Sequence, residues 1–564
     1  MLRDRGSWHA FRLPKASHCY DGAHGWNTEW PRIRDVGPPG QPDLLMTMHG
    51  LFWRFPREFT ARRTDGLRPR STYLKVIGDF CRWNDQLVFG CDDAAKSEFL
   101  NQRRAKAGQA GPGQSQSNLW FTDPETPDRL GPPLGRGAVW LHDSVAAGAV
   151  SEPYLWAGFP RRAIHVRHAA DAPVTFDFEV DRRGRQRWTP LRSVTVPPGQ
   201  TAWIDASQDA PAEWIRVRSR SAAPAVTVWF TGSHPDPRPA RPAGIFDGLA
   251  GIAEDRALTG LVHARGDHRR SLGLAAASRT PGGETATGYY ELVLEPAPKT
   301  GPSPHPELRL RRVESPETRS WIAHHLAIPR AVLQVDRASV VYTDDAGRRW
   351  RLPKGHPAFD GPTTNAALRV AREVVTERDL FAAHGTLYEL PAENAGGFAK
   401  IRPIASHDRL ITDFASHRGL LVLTGITPAD HAPHNPHNPH ILRSEDGQAA
   451  VWVGAVDDLW QLGKPSGRGG PWLETPVRAG DASDPYLFAG FDRKQLTLAH
   501  DGPTPVAFDV EVDLSGDGLW VPYRRFEVPA GREFRHEFPP AFAAAWLRVR
   551  SAADTRASAQ LAYD

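Results

Sequence analysis

The segments FDFEVD (176–181) and FDVEVD (508–513) alternate apolar with acidic residues, the two-residue period of a strand with one buried face. Short apolar runs joined by tight polar turns recur along the chain and predict hairpins. LLMTMHG/LFWRFP, VIGDFCRWND/QLVFG and PYLWAGF/RRAIHVRH form one set of three; DLFAAHG/TLYELP, LITDFASHRG/LLVLTG and PYLFAGFD/RKQLTLAH form another. Between them LTGLVHARGDH/RRSLGLAA adds a seventh hairpin, followed by strand-like GYYELVL and ASVVYTDDAGRRWRL. Helix is scarce, and DDAAKSEFLNQRRAKAG (92–108) is its best candidate.

The two sets of hairpins are copies. LRPRSTYLKVIGDFCRWNDQLVFG (67–90) matches IRPIASHDRLITDFASHRGLLVLT (401–424) without a gap. EPYLWAGF (152–159) matches DPYLFAGF (484–491), and AEWIRVRS (212–219) matches AAWLRVRS (544–551). Internal duplication of short strands predicts a radial all-β architecture, which buries strand faces while leaving short edges. The expectation is a seven-bladed β-propeller built from a tandem duplication. Residues 1–48 would close the ring, 49–230 supply three blades, 231–383 one, and 384–564 three. The alternative is a smaller propeller with two β-sandwich modules at 153–230 and 485–564.

Composition agrees with many short strands: 51 Pro and 50 Gly give frequent turns, while 19 Trp supply bulk to pack between them. The formal net charge is only +4 and the arginines are scattered, so neither nucleic acid nor a membrane is an expected partner. Three cysteines, all in the first sixth of the chain, do not make a disulfide framework. An apolar leader is not visible and no apolar run approaches a membrane span, so a cytoplasmic location is expected unless a leader has been removed.

Thr343, Asp345, Gly347 and Trp350 in TDDAGRRW have the spacing of an Asp box, in which a carboxylate caps a tight turn above a tryptophan. In this motif and in its blade-like repeats the chain resembles sialidase-like and polysaccharide-lyase-like propellers. The resemblance is confined to architecture and this one eight-residue motif. The arginine triad and nucleophilic tyrosine of sialidases have no counterparts that can be placed here.

If the predicted first strands line a channel, His49, His384, His263, Arg265, Asp79, Asp413 and Arg418 stand near its mouth. Histidine transfers protons near neutrality, and His263 and Arg265 are unduplicated, as a single substrate in a pseudo-symmetric ring requires. The duplicated His and Asp pairs serve equally well to hold the sheets in register. HGWNTEWPRIR (24–34) offers Trp26 and Trp30 for stacking, Asn27 and Arg32 as donors and Glu29 as an acid; its plainer role is a packed strand. Gln114, Gln116 and Asn118 lie in a polar loop, and Glu373, Glu377 and Asp379 read as surface ion-pair partners.

HAPHNPHNPH (431–440) places four histidines three apart. In polyproline II each turn of three residues rises about 9 Å, too far for one ion whose donors must stand near ~2 Å. The stretch reads as a stiff loop, and neither metal nor cofactor is expected. The expected activity is that of a carbohydrate-active enzyme, a glycoside hydrolase acting on an acidic or an arabinose- or rhamnose-type glycan through Glu29 with Asp79 or Asp413. A lyase using His263 or His49 as base with Arg265, and a non-catalytic sugar-binding propeller, are the alternatives.

Overall fold

The alternating segments are the central strands of two pairs of face-to-face sheets. In the computed structural model, which describes residues 1–17, 31–94, 115–264, 271–295, 307–329, 332–361, 367–375, 378–431 and 438–564, Val174–Asp181 pairs with Trp188–Val196 on one side and Trp214–Ser219 on the other. Its Val174, Phe176, Phe178 and Val180 are buried and the residues between them less so. They share one core with Ile164, Val166, Val226, Val228 and Phe230 of the facing sheet, formed by Leu134–Val145, Ala223–Ser233, Arg161–Arg167 and Thr201–Asp205. Val506–Asp513 is placed in the same way in the second copy, against Gly467–Val477, Thr555–Tyr563, Lys494–His500 and Phe534–Glu537. The outward decoration repeats too. Arg216 bonds Glu179 at 2.7 Å and stacks over Trp188; Arg548 bonds Glu511 at 2.5 Å and stacks over Trp520.

The remaining sheets are small antiparallel meanders. The first copy supplies Arg32–Asp35, Leu44–Met48, Leu51–Phe55 and Arg68–Thr72, then Ile77–Trp83, Gln86–Ala94 and Ser115–Thr122. The second supplies Ala371–Val375, Arg378–Ala383, Thr386–Pro391 and Arg402–Ser406, then Phe414–His417, Leu420–Leu423, Ala450–Gly454 and Ile441–Arg443. An inserted sheet, Ala257–Ala264, Leu272–Thr280, Gly283–Glu295 and Glu307–Arg312, has no counterpart in the first copy. Its Val262, Leu272 and Leu274 share a core with Ala415, Val422 and Val451, and Tyr290 Oη donates to Asp446 at 2.7 Å.

The protein is therefore all-β, its strands distributed over many separate sheets. The third predicted hairpin of each copy is not a hairpin. Tyr154–Leu155 pairs with Trp214–Ser219, whereas Arg161–Arg167 belongs to the facing sheet. Gly158 and Gly490, at φ +89° and +85°, turn the chain across that gap. A Cβ on Gly158 would lie 2.4 Å from Pro69 Cδ, and one on Gly490 would lie 2.6 Å from Pro403 Cδ. The duplicated RP and PYLxAGF signatures are thus two halves of one joint between meander and sandwich.

The repeat also reaches further upstream than the sequence comparison placed it. Arg12–Lys15 and Arg351–Lys354 both read RLPK. Arg12 bridges in parallel to Tyr154 and bonds Glu152, while Arg351 pairs with Tyr486 and bonds Asp484. Residues 12–15 thus take the same place beside Tyr154 that residues 351–354 take beside Tyr486. The turn of TDDAGRRW is capped by Asp344, one residue before the position its spacing assigns: its carboxylate accepts from Ala346 N, Arg348 N and Trp350 Nε1 at 2.9–3.0 Å. Residues 92–94, expected to begin a helix, end the strand Gln86–Ala94. Among the described residues no helix is long and apolar enough to cross a membrane.

Candidate functional site

His49 and His384 sit at equivalent hairpin tips. Each has positive φ (+51° and +48°) and is followed by a positive-φ glycine, Gly50 or Gly385, the backbone of a type I′ turn. The His49 carbonyl accepts from Ala16 N and Ser17 N at 3.1 Å, and that of His384 from Gly355 N and His356 N at 3.1 and 3.2 Å. The duplicated HG pair is accounted for by this turn and its docking onto the RLPK segment. His384 also faces Asp360 at 3.2 Å. Burial holds its pKa below the ordinary value against that carboxylate's pull.

Asp79 and Asp413 are sequence-equivalent and physically opposite. Asp79 is exposed on the edge strand Ile77–Trp83 of the three-stranded sheet, paired at 2.7 Å with Arg34 of the adjacent meander, while Arg32 Nε donates to the neighbouring Gly78 carbonyl at 3.0 Å. Asp413 is fully buried; it accepts from Arg369 Nε, Val262 N and Phe414 N at 2.8–2.9 Å. That carboxylate joins the inserted sheet to the second copy and is inaccessible to a substrate. His263 packs its ring on Trp321 of the helix Pro316–His325, centroids 5.1 Å apart. Arg418 occupies a second positive-φ turn with Gly419. His49, His384 and Asp79 lie in three different sheets, whereas Asp413 bonds the amide of Val262, next to His263, and flanks the same strand as Arg418. Glu29, Trp26, Asn27, Trp30 and Arg265 lie outside the described residues, as do Gln114, Glu377, His434 and His437.

Around Asp413 the sheets converge on a buried ionic layer. Lys75 bonds Asp93 at 2.7 Å, and Arg378 and Arg402 clasp Glu389 at 3.0 and 2.6 Å. Glu373 and Asp379, read from sequence as surface residues, are buried and directly opposite one another on adjacent strands. The strands that carry them are covered on both faces, which a polar alternation does not disclose.

A cavity of about 140 Å³ lies elsewhere, at the seam between the first sandwich and the second copy. Arg136, Arg161 and Arg238 line it from one side, and Lys400, Arg402 and Lys494 from the other; Asp236 and Asp492 are its carboxylates. Both acids are engaged: Asp236 with Arg238 at 2.7 Å, and Asp492 with Arg161 and with Lys464 at 3.2 Å. Lys494 makes no ion pair among the described residues. Burial lowers its pKa from 10.5 to about 8, Asp492 opposing the shift. Burial likewise lowers Arg136 to about 10, assisted by Arg402.

The duplication shows how this surplus arose. In the first copy Arg68 is held by Glu213 through two bonds of 2.6 and 2.7 Å, and Gly66 N donates to the same carboxylate. In the second copy the positions of Gly66 and Glu213 are Lys400 and Ala545. There Arg402, the counterpart of Arg68, is held by Glu389 instead, and a cation, Lys400, stands at the same joint; Lys400 and Ala545 both line the cavity. The cations come from five separate places in the chain, so no local motif announced them. The comparison of Glu213 with Ala545 was the one signal available in the sequence.

No protein-family model matches the chain, and neither does any curated protein. Among solved structures, the crystal structure of PirA is similar at 14% identity over 18% of this chain and 84% of that one, with a TM-score of 0.11. A Streptomyces avermitilis α-L-rhamnosidase complexed with L-rhamnose is similar at 11% identity over 95% of this chain and 57% of that one, also at a TM-score of 0.11. Neither likeness carries an argument about this chain.

Proposed function

We propose that the protein is carbohydrate-active and takes an acidic, uronate-bearing glycan in the seam cavity. The observation that carries this reading is the cationic lining: besides Arg161, Arg238 and Arg402, which are paired with Asp492, Asp236 and Glu389, it holds Arg136, Lys400 and Lys494. Guanidinium groups match a carboxylate's two oxygens. Arg136, which lines the cavity, would receive it.

The lining suits β-elimination better than hydrolysis. An amine with pKa near the operating pH is an effective base. Lys494 would take the proton from the carbon beside the bound carboxylate. The released electron pair forms the carbon–carbon double bond as the glycosidic C–O bond breaks, and the lysine's new proton passes to the departing oxygen. Hydrolysis needs two available carboxylates, and the two that line the cavity are both held in ion pairs. The meanders support a propeller-like arrangement with fewer blades than seven, flanked by the two sandwiches.

The test is incubation with a panel of uronate-containing and neutral polysaccharides, following reducing ends together with the ultraviolet absorbance of a conjugated uronate. Reducing ends with absorbance, lost in Lys494→Ala, are expected. Reducing ends without absorbance would replace elimination by hydrolysis. No binding of any acidic glycan would remove the proposal.

A further inference from the structure

On the far side of the segment 539–545 the same seam opens into a second pocket, of about 290 Å³. The first sandwich contributes His165 and Trp203, and the second contributes Tyr523, Arg524, His536 and Phe542. The aromatic rings form a continuous wall. Phe542 meets Trp203 edge-on at 5.4 Å and Tyr523 at 4.5 Å, and Tyr523 Oη hydrogen-bonds His536 Nε2 at 2.8 Å. Two polar atoms of lining side chains, Trp203 Nε1 and His165 Nε2, are buried without a hydrogen-bond partner among the described residues. Buried polar groups left unmatched are costly to the fold. Burial lowers the His165 pKa to about 3, against a backbone hydrogen bond at Ala543, so the ring is neutral across the working range.

The pocket is specific to the seam. In the other copy the positions of Tyr523, His536 and Phe542 are Leu191, Ile204 and Ala210, and those of His165 and Trp203 are Thr497 and Arg535. Five substitutions have gathered rings and polar tips at one place where packing alone is met elsewhere by aliphatic or solvated residues. Flat apolar faces with hydroxyl, imidazole and guanidinium edges complement a ring that is apolar on its faces and hydroxylated at its rim.

We propose that this pocket binds a neutral pyranose unit of an oligosaccharide, stacked on the aromatic wall, as a site separate from the cationic cavity. It does not depend on the acidic-glycan reading. Calorimetric titration of the full chain with neutral gluco-, xylo-, manno-, galacto- and arabino-oligosaccharides tests it. At least one should bind, with affinity falling about tenfold in Tyr523→Phe and in Trp203→Phe, two changes that keep the rings and the fold. Ala545→Glu, in the cationic cavity, should leave that affinity unchanged while weakening acidic ligands. The proposal is overturned if no neutral oligosaccharide binds, or if binding is indifferent to both pocket variants. Loss of acidic binding alone would bear only on the cavity.

Discussion

At the scale of the residue, the decisive contrast is Glu213 against Ala545. Restoring the carboxylate as Ala545→Glu places a charge beside Arg402 and Lys400, which the first copy shows can be satisfied by a bidentate arginine. Binding of an acidic oligosaccharide should fall at least tenfold, measured by calorimetry, with stability unchanged or raised; retained affinity would move the anion site elsewhere. Lys494 supplies the pH dependence. Its pKa is lowered to about 8 by burial, so elimination should rise as pH passes about 8 and then level, and Lys494→Arg should abolish the rise. The sign for stability is the same. A base whose folded pKa lies below its unfolded value contributes least below about 8 and most above its ordinary 10.5. Little of this was legible beforehand. The duplicated His and Asp residues were visible because turns and sheet junctions repeat, whereas the cavity's cations are dispersed and meet only when sheets pack.

At the scale of the element, the joint between meander and sandwich is the unit that was copied. Gly158→Ala and Gly490→Ala each place a methyl group against a proline ring in a backbone region L-residues avoid. Each should cost at least about 1–3 kcal/mol in denaturant unfolding. Equal losses would establish that both joints carry weight; no loss in either would refute the paired-signature reading. Strands were legible because a period of two survives burial on one face, as in FDFEVD. The false third hairpin was not distinguishable, because strand, glycine turn and strand describe equally a hairpin and a chain crossing between facing sheets. The upstream RLPK repeat is short and its flanks have diverged; only the shared bridges to Tyr154 and Tyr486 make it plain.

At the scale of the whole molecule, the copies are tied together by buried polar bonds. Asp457 of the second accepts from Leu74 N and Lys75 N of the first at 2.7 and 3.0 Å, Arg378 donates to the Lys75 carbonyl, and Arg402 to that of Ala16. Unfolding should therefore be one cooperative transition in calorimetry; two separable transitions would show that the copies fold independently. Burial raises the Asp457 pKa from 3.8 to about 6, against the pull of its amide donors. Its contribution is present below 3.8 and lost as pH rises through about 6. Asp457→Asn should flatten that part of the stability profile.

The inserted sheet gives the two copies different surroundings, and that difference can be timed. It rests on the second copy's Phe414–His417, whose four residues are all buried, while the equivalent part of Ile77–Trp83 in the first copy is largely open. Two strands of common descent and similar pairing should then exchange their amide hydrogens at different rates, slowly beneath the insertion and faster where it is missing. Each copy serves as the other's internal clock, recording how much opening one added sheet suppresses.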